Sequence, residues 1–428
     1  MTPPANFNGW RDGVRYGLLG LPLAFVALPL YVILPNYYAR EFGVPLTALG
    51  AILLIARLFD AFIDPMLGRW SDRLFARSIN AVLVFGAVAA VLLGAGFALL
   101  FFPVLPAPRA QRDVMVWVTV FLMLTYAAYS ALCVAHQSWG AMLGGDEAQR
   151  SRIVAWREGF GLGGVLIASI TPVALGLPAT VVVFFIALCI GWLAWARAVR
   201  PVPTPTFKAG SVWLPLQRAA FRRLLAVFLL NGIASAIPAT LILFFVQDRL
   251  QAPPSLEPVF LGSYFLCAAL AMALWLRVVQ HIGLARTWLV GMVLGMAVFI
   301  FATQLGAGET TAFIVVCALS GIALGTDLAM PAALLAGVIL ESGDRGRAEG
   351  AYFGWWNFAT KLNLALAAGV ALPLLGAFGY EPGIRTDGAL QALTFAYCLL
   401  PCALKFCAAA TLYFLIIRPA QILQPTSA

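Results

Sequence analysis

Apolar runs long enough to cross a bilayer occupy most of this chain, and nothing else in the sequence restricts its fold as much. Twelve can be drawn, at roughly 14–38, 46–67, 80–102, 114–143, 153–176, 179–199, 222–246, 256–280, 286–305, 311–340, 349–376 and 388–416. A spanning helix needs about 20 predominantly apolar residues, and most of these runs supply that many. The composition agrees. The 428 residues are 62% hydrophobic and 11% charged, with a mean hydropathy of +0.93, whereas a soluble domain is about half apolar and a quarter charged. The chain therefore reads as an all-α integral membrane protein with twelve transmembrane helices.

The longest polar interruption, RAVRPVPTPTFKAGSVWLPLQRAAFRR, lies between the sixth and seventh runs. It divides the chain into an N-terminal six-helix bundle at 1–199, a linker at 200–221 and a C-terminal six-helix bundle at 222–428. The halves echo one another. LPLAFVALPLYVILPNYYAREFGVP in the first run and NGIASAIPATLILFFVQDRLQAP in the seventh both place a proline mid-run, then bulky apolar residues, a charged end and another proline. Two pseudo-symmetric repeats of six helices are a common plan for secondary transporters.

The net charge of +9 would suggest nucleic acid in a soluble protein. Here it follows the positive-inside bias. With both termini in the cytoplasm, the outer loops hold only Arg40, Arg109, Arg112, Arg249 and Arg385, and most other basic residues fall in inner segments. The first run is too long for a cleaved signal and is expected to stay as a helix. The seven cysteines lie in apolar runs without a CxxC pair and read as buried thiols. With two histidines and no ligand spacing, no metal or other cofactor is expected.

Charges inside spans mark pathways or relays by default. In RLFDAFIDPMLGRWSDR, Asp60 and Asp64 are four residues apart and lie one above the other on a helix face. Two such carboxylates cannot both ionise cheaply in a low dielectric. They can hold a proton, surround a small cation, or cap the helix and pair with Arg57. Lys361 sits about twelve residues into the eleventh run, too deep for easy snorkelling, and needs a carboxylate such as this pair. His136, with Trp139 one turn on, offers a hydrogen-bonding ring beside a flat one, suited either to a polar ligand or to helix packing. Asp327, in GIALGTDLAMP, has no local partner; solute contact, proton relay and a structural hydrogen bond remain open. GFGLGG at 159–164 fits GxGxxG, but it opens a membrane helix with no strand before it. Close helix packing through Gly159 and Gly163 is the better reading.

With these residues in view, RLFDAFIDPMLGRWSDR resembles the second-helix signature of the glycoside–pentoside–hexuronide:cation symporters, the melibiose permease family of the major facilitator superfamily. The Tyr16–Gly17 start of helix one, AHQSWGAML in helix four, RIVAWREGFG at the start of helix five and a helix-eleven lysine followed by Gly379 and Tyr380 are also similar. GRWSDR resembles the superfamily's loop between helices two and three. The resemblance implies that Asp60 and Asp64 bind the coupling cation and that Lys361 responds to its charge. Trp139 and Arg157 would lie near the solute, and Gly68, Asp72 and Arg73 would form a gating loop. Two departures bear on specificity. Ala24 and His136 stand where the family's sugar-binding aspartates sit, so melibiose-like recognition is not carried over. Ile63 stands where sodium-using members have an amide, which favours H⁺ over Na⁺.

The expectation is a monomeric, cation-coupled secondary transporter of a sugar or other small polar solute, working by alternating access in a bacterial inner membrane. It is not an enzyme, its partners are the solute and membrane lipid, and it takes no nucleic acid. The alternatives are an exporter or transporter of lipid-like molecules on the same fold, and a non-transporting membrane scaffold.

Overall fold

Hydrocarbon offers no partner to a backbone N–H or C=O, so a membrane segment has to satisfy both within itself, and a helix does so residue by residue. The computed structural model describes residues 7, 9–104, 110–201, 211–378, 380, 383 and 385–419, and among these the regular structure is helical. The long helices are α1 (Trp10–Tyr31), α2 (Leu46–Arg77), α3 (Ile79–Phe101), α4 (Gln111–Leu143), α5 (Glu147–Pro172), α6 (Ala174–Ala196), α7 (Ala219–Arg249), α8 (Pro254–Ile282), α9 (Leu284–Ala302), α10 (Thr310–Glu341), α11 (Glu349–Ala377) and α12 (Asp387–Ile417). Ten of these have the length and composition to cross a membrane. The other two, α2 and α11, have 32 and 29 residues and at about 1.5 Å per residue outreach a hydrocarbon core roughly 30 Å thick. Gly379, Arg109 and residues 202–210 of the expected linker lie outside the described residues.

The chain forms two compact units. One comprises Met1–Gln217 with Ile339–Phe358, the other Arg218–Val338 with Ala359–Ala428. The first has a core of large rings: Phe184 packs on Phe25 and Phe97 at centroid distances of 5.7 and 4.6 Å, and Trp195 meets Trp139 at 5.2 Å. In the second, Phe245 stacks on Tyr397 at 4.2 Å, with Phe313 against it.

The likeness between the first and seventh runs extends to the backbone. Helix α1 runs into a π turn at Pro29–Ile33 and on into Leu34–Phe42, and α7 ends in a π turn at Phe245–Arg249. Such turns insert a residue into the helical ladder and are frequent at functional sites. In the first turn of α6 the helical path breaks at Gly176, whose φ of 80° is accessible to glycine without strain, flanked by Pro172 and Pro178.

Two expectations need correction. Gly68, Asp72 and Arg73 do not form a loop. Helix α2 continues through them to Arg77 and turns only at Ser78, whose Oγ accepts from Ala81 N at 3.0 Å to cap α3. Pro65 does not stop the helix either; it removes only the bond to the Ala61 carbonyl. The packing glycines of α5 are also not Gly159 and Gly163, whose added Cβ atoms would meet open space. The close approach is at Gly164, where a Cβ would lie 2.1 Å from the Leu21 carbonyl, and from the other side at Gly20, 2.4 Å from the Arg157 carbonyl. One residue turns a helix face by about 100°, so the GxxxG spacing pointed to the right helix and the wrong face.

Candidate functional site

Helix α2 carries both aspartates on its buried side: Asp60 is 6% exposed and Asp64 is 0% exposed. The Ser130 hydroxyl of α4 donates to Asp60 Oδ1 at 2.7 Å. Pro65, by lacking an N–H, leaves the Ala61 carbonyl without its helical donor beside the same pair. The result is a stack of carboxylate and carbonyl oxygens into which the Ser130 hydroxyl donates. That set can take up a proton or a small cation.

Further along α2, the side chain of Asp72 caps another helix. Its Oδ1 accepts from Gly350 N at 2.6 Å and its Oδ2 from Ala351 N at 3.0 Å, satisfying two orphan donors at the start of α11. Gly68 lets the helices meet, since its Cβ would lie 1.9 Å from the Gly350 carbonyl oxygen, and Gly354 approaches the Asp64–Pro65 backbone in the same way. All of this lies in the first unit. Ala at Gly68 or Gly350 must push these backbones apart, and overpacking of this kind costs about 1–3 kcal/mol. Gly68→Ala should therefore unfold at lower temperature in detergent than an Ala variant of Gly159, where a Cβ meets nothing; equal melting temperatures would refute the close contact.

His136 and Trp139 are fully buried. The His136 Nε2–H donates to the Tyr16 carbonyl at 2.8 Å, the Tyr16 hydroxyl donates to the His136 carbonyl at 3.2 Å, and the two rings sit 4.4 Å apart. Trp139 Nε1–H donates to the Val199 carbonyl at 2.9 Å. Trp139 thus spends its N–H on neighbouring backbone, and His136 spends Nε2 there while its Nδ1 is buried without a hydrogen-bond partner, so both residues pack helices and one ring nitrogen stays unused. Arg157 lies across from them, its Nε–H donating to Glu158 Oε1 at 2.9 Å, with side-chain exposures of 11% and 25%.

Asp327 is also taken. In the second unit, Lys405 of α12 donates to Asp327 Oδ2 at 2.8 Å, to Asn231 Oδ1 at 2.8 Å and to Ser235 Oγ at 3.3 Å. Asp327 Oδ1 accepts from Asn231 Nδ2 at 3.0 Å and from Trp288 Nε1 at 2.8 Å; its Oδ2 also accepts from Ser235 at 3.2 Å. Every Lys405 N–H finds an oxygen. The ring joins α7, α9, α10 and α12, and it makes Asp327 an internal counter-ion, the structural hydrogen-bonding role among the three left open for it. Lys405 was missed as a site residue. The available signal was that a lysine and an aspartate each lay in a span without a local partner. Lys361 belongs to the second unit and the aspartate pair to the first.

The family described as MFS/sugar transport protein matches residues 15–418. The glucuronide carrier protein homolog of Escherichia coli (strain K12) is 23% identical over 438 residues, covering 95% of this chain and 92% of that one. An uncharacterized symporter of Bacillus subtilis (strain 168) is 23% identical over 448 residues, covering 97% and 94%. Among solved structures, an outward-facing bacterial homologue of the iron transporter ferroportin superposes with a TM-score of 0.70 at 14% identity, over 95% of this chain and 98% of that one. The E. coli fucose:proton symporter does so with 0.67 at 16%, over 93% and 98%. At those identities the structures establish the fold, which is that of the major facilitators.

Proposed function

We propose that this chain, which belongs to the MFS/sugar transport protein family, is a cation-coupled symporter of a sugar- or glycoside-type solute that works by alternating access. The observation that carries this reading is the buried stack of Asp60 and Asp64 with Ser130 donating into it. A site that can be charged or neutral has different free energies in the two access states, and that difference is what couples an ion gradient to a conformational cycle. Relatives named as a glucuronide carrier homolog and as a symporter support a glycoside-type solute and cation coupling.

The proton is the preferred ion. One oxygen of Asp60 is already engaged by Ser130, and Ile63 adds no oxygen ligand to the set, which disfavours a metal cation relative to a proton. Lys361 on α11 is the proposed coupling residue of the second unit. Asp72, holding the first turn of α11, serves as a gate element, with Gly68 and Arg73 beside it on α2. Arg157 is the solute-facing candidate retained from the first unit, because its side chain keeps partial exposure. The basic residues Arg69, Arg73, Arg77, Arg345 and Arg347 support cytoplasmic termini in a bacterial inner membrane. The working unit is a monomer.

The test is proton movement in sodium-free liposomes. Adding glucuronate, or a neutral sugar from a panel, should make the outer medium more alkaline as protons enter with solute. Alkalinisation that appears only with sodium would reassign the ion, and none with any sugar would overturn the symport reading.

A further inference from the structure

Arg57 lies eleven residues into the 32-residue α2 from Leu46, about 16 Å along the axis at 1.5 Å per residue, well inside the helix. At that depth a cation facing lipid costs several kcal/mol. Yet Arg57 is exposed, and its immediate surroundings are polar. Its guanidinium sits 3.8 Å from the ring centroid of Tyr31, which the π turn of α1 presents 38% exposed. Tyr126 of α4 is only 5% exposed. Its hydroxyl is buried without a close, well-aligned partner and faces the Arg57 guanidinium at the margin of hydrogen-bond range, with Asp60 and Tyr31 nearby. Three helices thus bring a guanidinium and a phenol together, flanked by the stacking ring, on the open side of Arg57.

The chemistry of this cluster is lopsided. A guanidinium carries five N–H donors in a planar fork, and stacking on a ring uses none of them. No carboxylate or carbonyl among the described residues accepts from Arg57, and Asp60 Oδ1, one turn away, takes its hydrogen bond from Ser130. The fork therefore keeps N–H donors unused on the exposed side of Arg57. The group that balances such a set is an oxyanion, held by paired N–H bonds from the fork and a third bond from the phenol.

We propose that Arg57, stacked on Tyr31 and flanked by Tyr126, is an anion subsite that binds the carboxylate or sulfonate of an acidic sugar. This deepens the transport reading above and rests on it for the sugar. The subsite lies three residues from Asp60, so an arriving anion makes the arrival of a cation on the aspartate pair more favourable, and by linkage the cation favours the anion.

The experiment is equilibrium binding to the purified full-length protein in detergent, with glucuronate, 6-sulfonated glucose and glucose as probes. Wild type should bind an acidic sugar in preference to glucose; which of the two acids it prefers identifies carboxylate or sulfonate as the natural group. Arg57→Gln should lower acidic-sugar affinity by about tenfold or more, the scale of a lost charge-assisted pair, and bring its ratio to glucose near one. Arg57→Lys keeps the charge without the fork and should retain part of the preference; it also guards against a misfolded Gln variant. Tyr126→Phe should weaken acidic sugars more than glucose. Wild type that binds glucose as tightly as the acids, or an Arg57→Gln variant that keeps the preference, overturns the subsite and leaves the transport reading standing. Wild type that binds none of the three sugars overturns both.

Discussion

Replacing Asp64 by asparagine is expected to leave the protein in the membrane and end uphill transport, so that the inside-to-outside ratio of a labelled sugar falls to about one, the value reached without coupling. Asparagine nearly matches aspartate in shape, and Asp64 is fully buried, so packing should survive while the change of charge state is lost. Asp60→Asn should act similarly, because its amide oxygen can still accept from Ser130 Oγ. Exchange of labelled for unlabelled sugar across the membrane separates the two readings. A coupling residue leaves exchange largely intact when accumulation fails, while a membrane scaffold shows neither activity in wild type. An Asp64→Asn variant that still concentrates sugar would remove this residue from the coupling site.

The second large effect concerns the ring in the second unit. Removing one member of a buried ion pair leaves an uncompensated charge and costs about 3–5 kcal/mol, whereas replacing both with apolar groups is often neutral. Lys405→Met alone or Asp327→Leu alone should therefore reduce the yield of folded protein and lower its melting temperature sharply, and the double variant should recover most of the loss. With side-chain exposures of 11% and 13%, water can do little to shield the survivor. Two single losses that simply add in the double variant would show that the 2.8 Å contact carries no coupling energy.

Much of the fold was legible because crossing a bilayer is a local requirement. Apolar length alone located the helices, and glycine and proline located most of the breaks, including the one at Gly176 in the first turn of α6. The end of α2 was misread because polar composition does not distinguish a loop from a helix whose acid is used elsewhere. Asp72 accepts from Gly350 and Ala351, nearly 280 residues along the chain, and no local pattern announces that. Helix faces were the least legible. In a soluble helix an apolar stripe marks the inside, but α4 is apolar nearly all round, so nothing in AHQSWGAML revealed that His136 and Trp139 turn into the first unit. The aspartate pair was legible because charge in a greasy helix needs a reason. Arg57 was visible for the same cause, but the tyrosines that lie beside it come from two other helices and no local pattern announced them.

The Lys405 ring has a consequence for how this chain can diverge. Each of its two charged members is tolerated only while the other is present, so descent from an ancestor with the pair to one without it must cross a poorly folding intermediate or change both codons nearly together. Lineages should therefore carry the lysine and the aspartate as a set or have lost both. A survey of orthologous genes that finds either alone as often as the two together would show that selection does not see the bond.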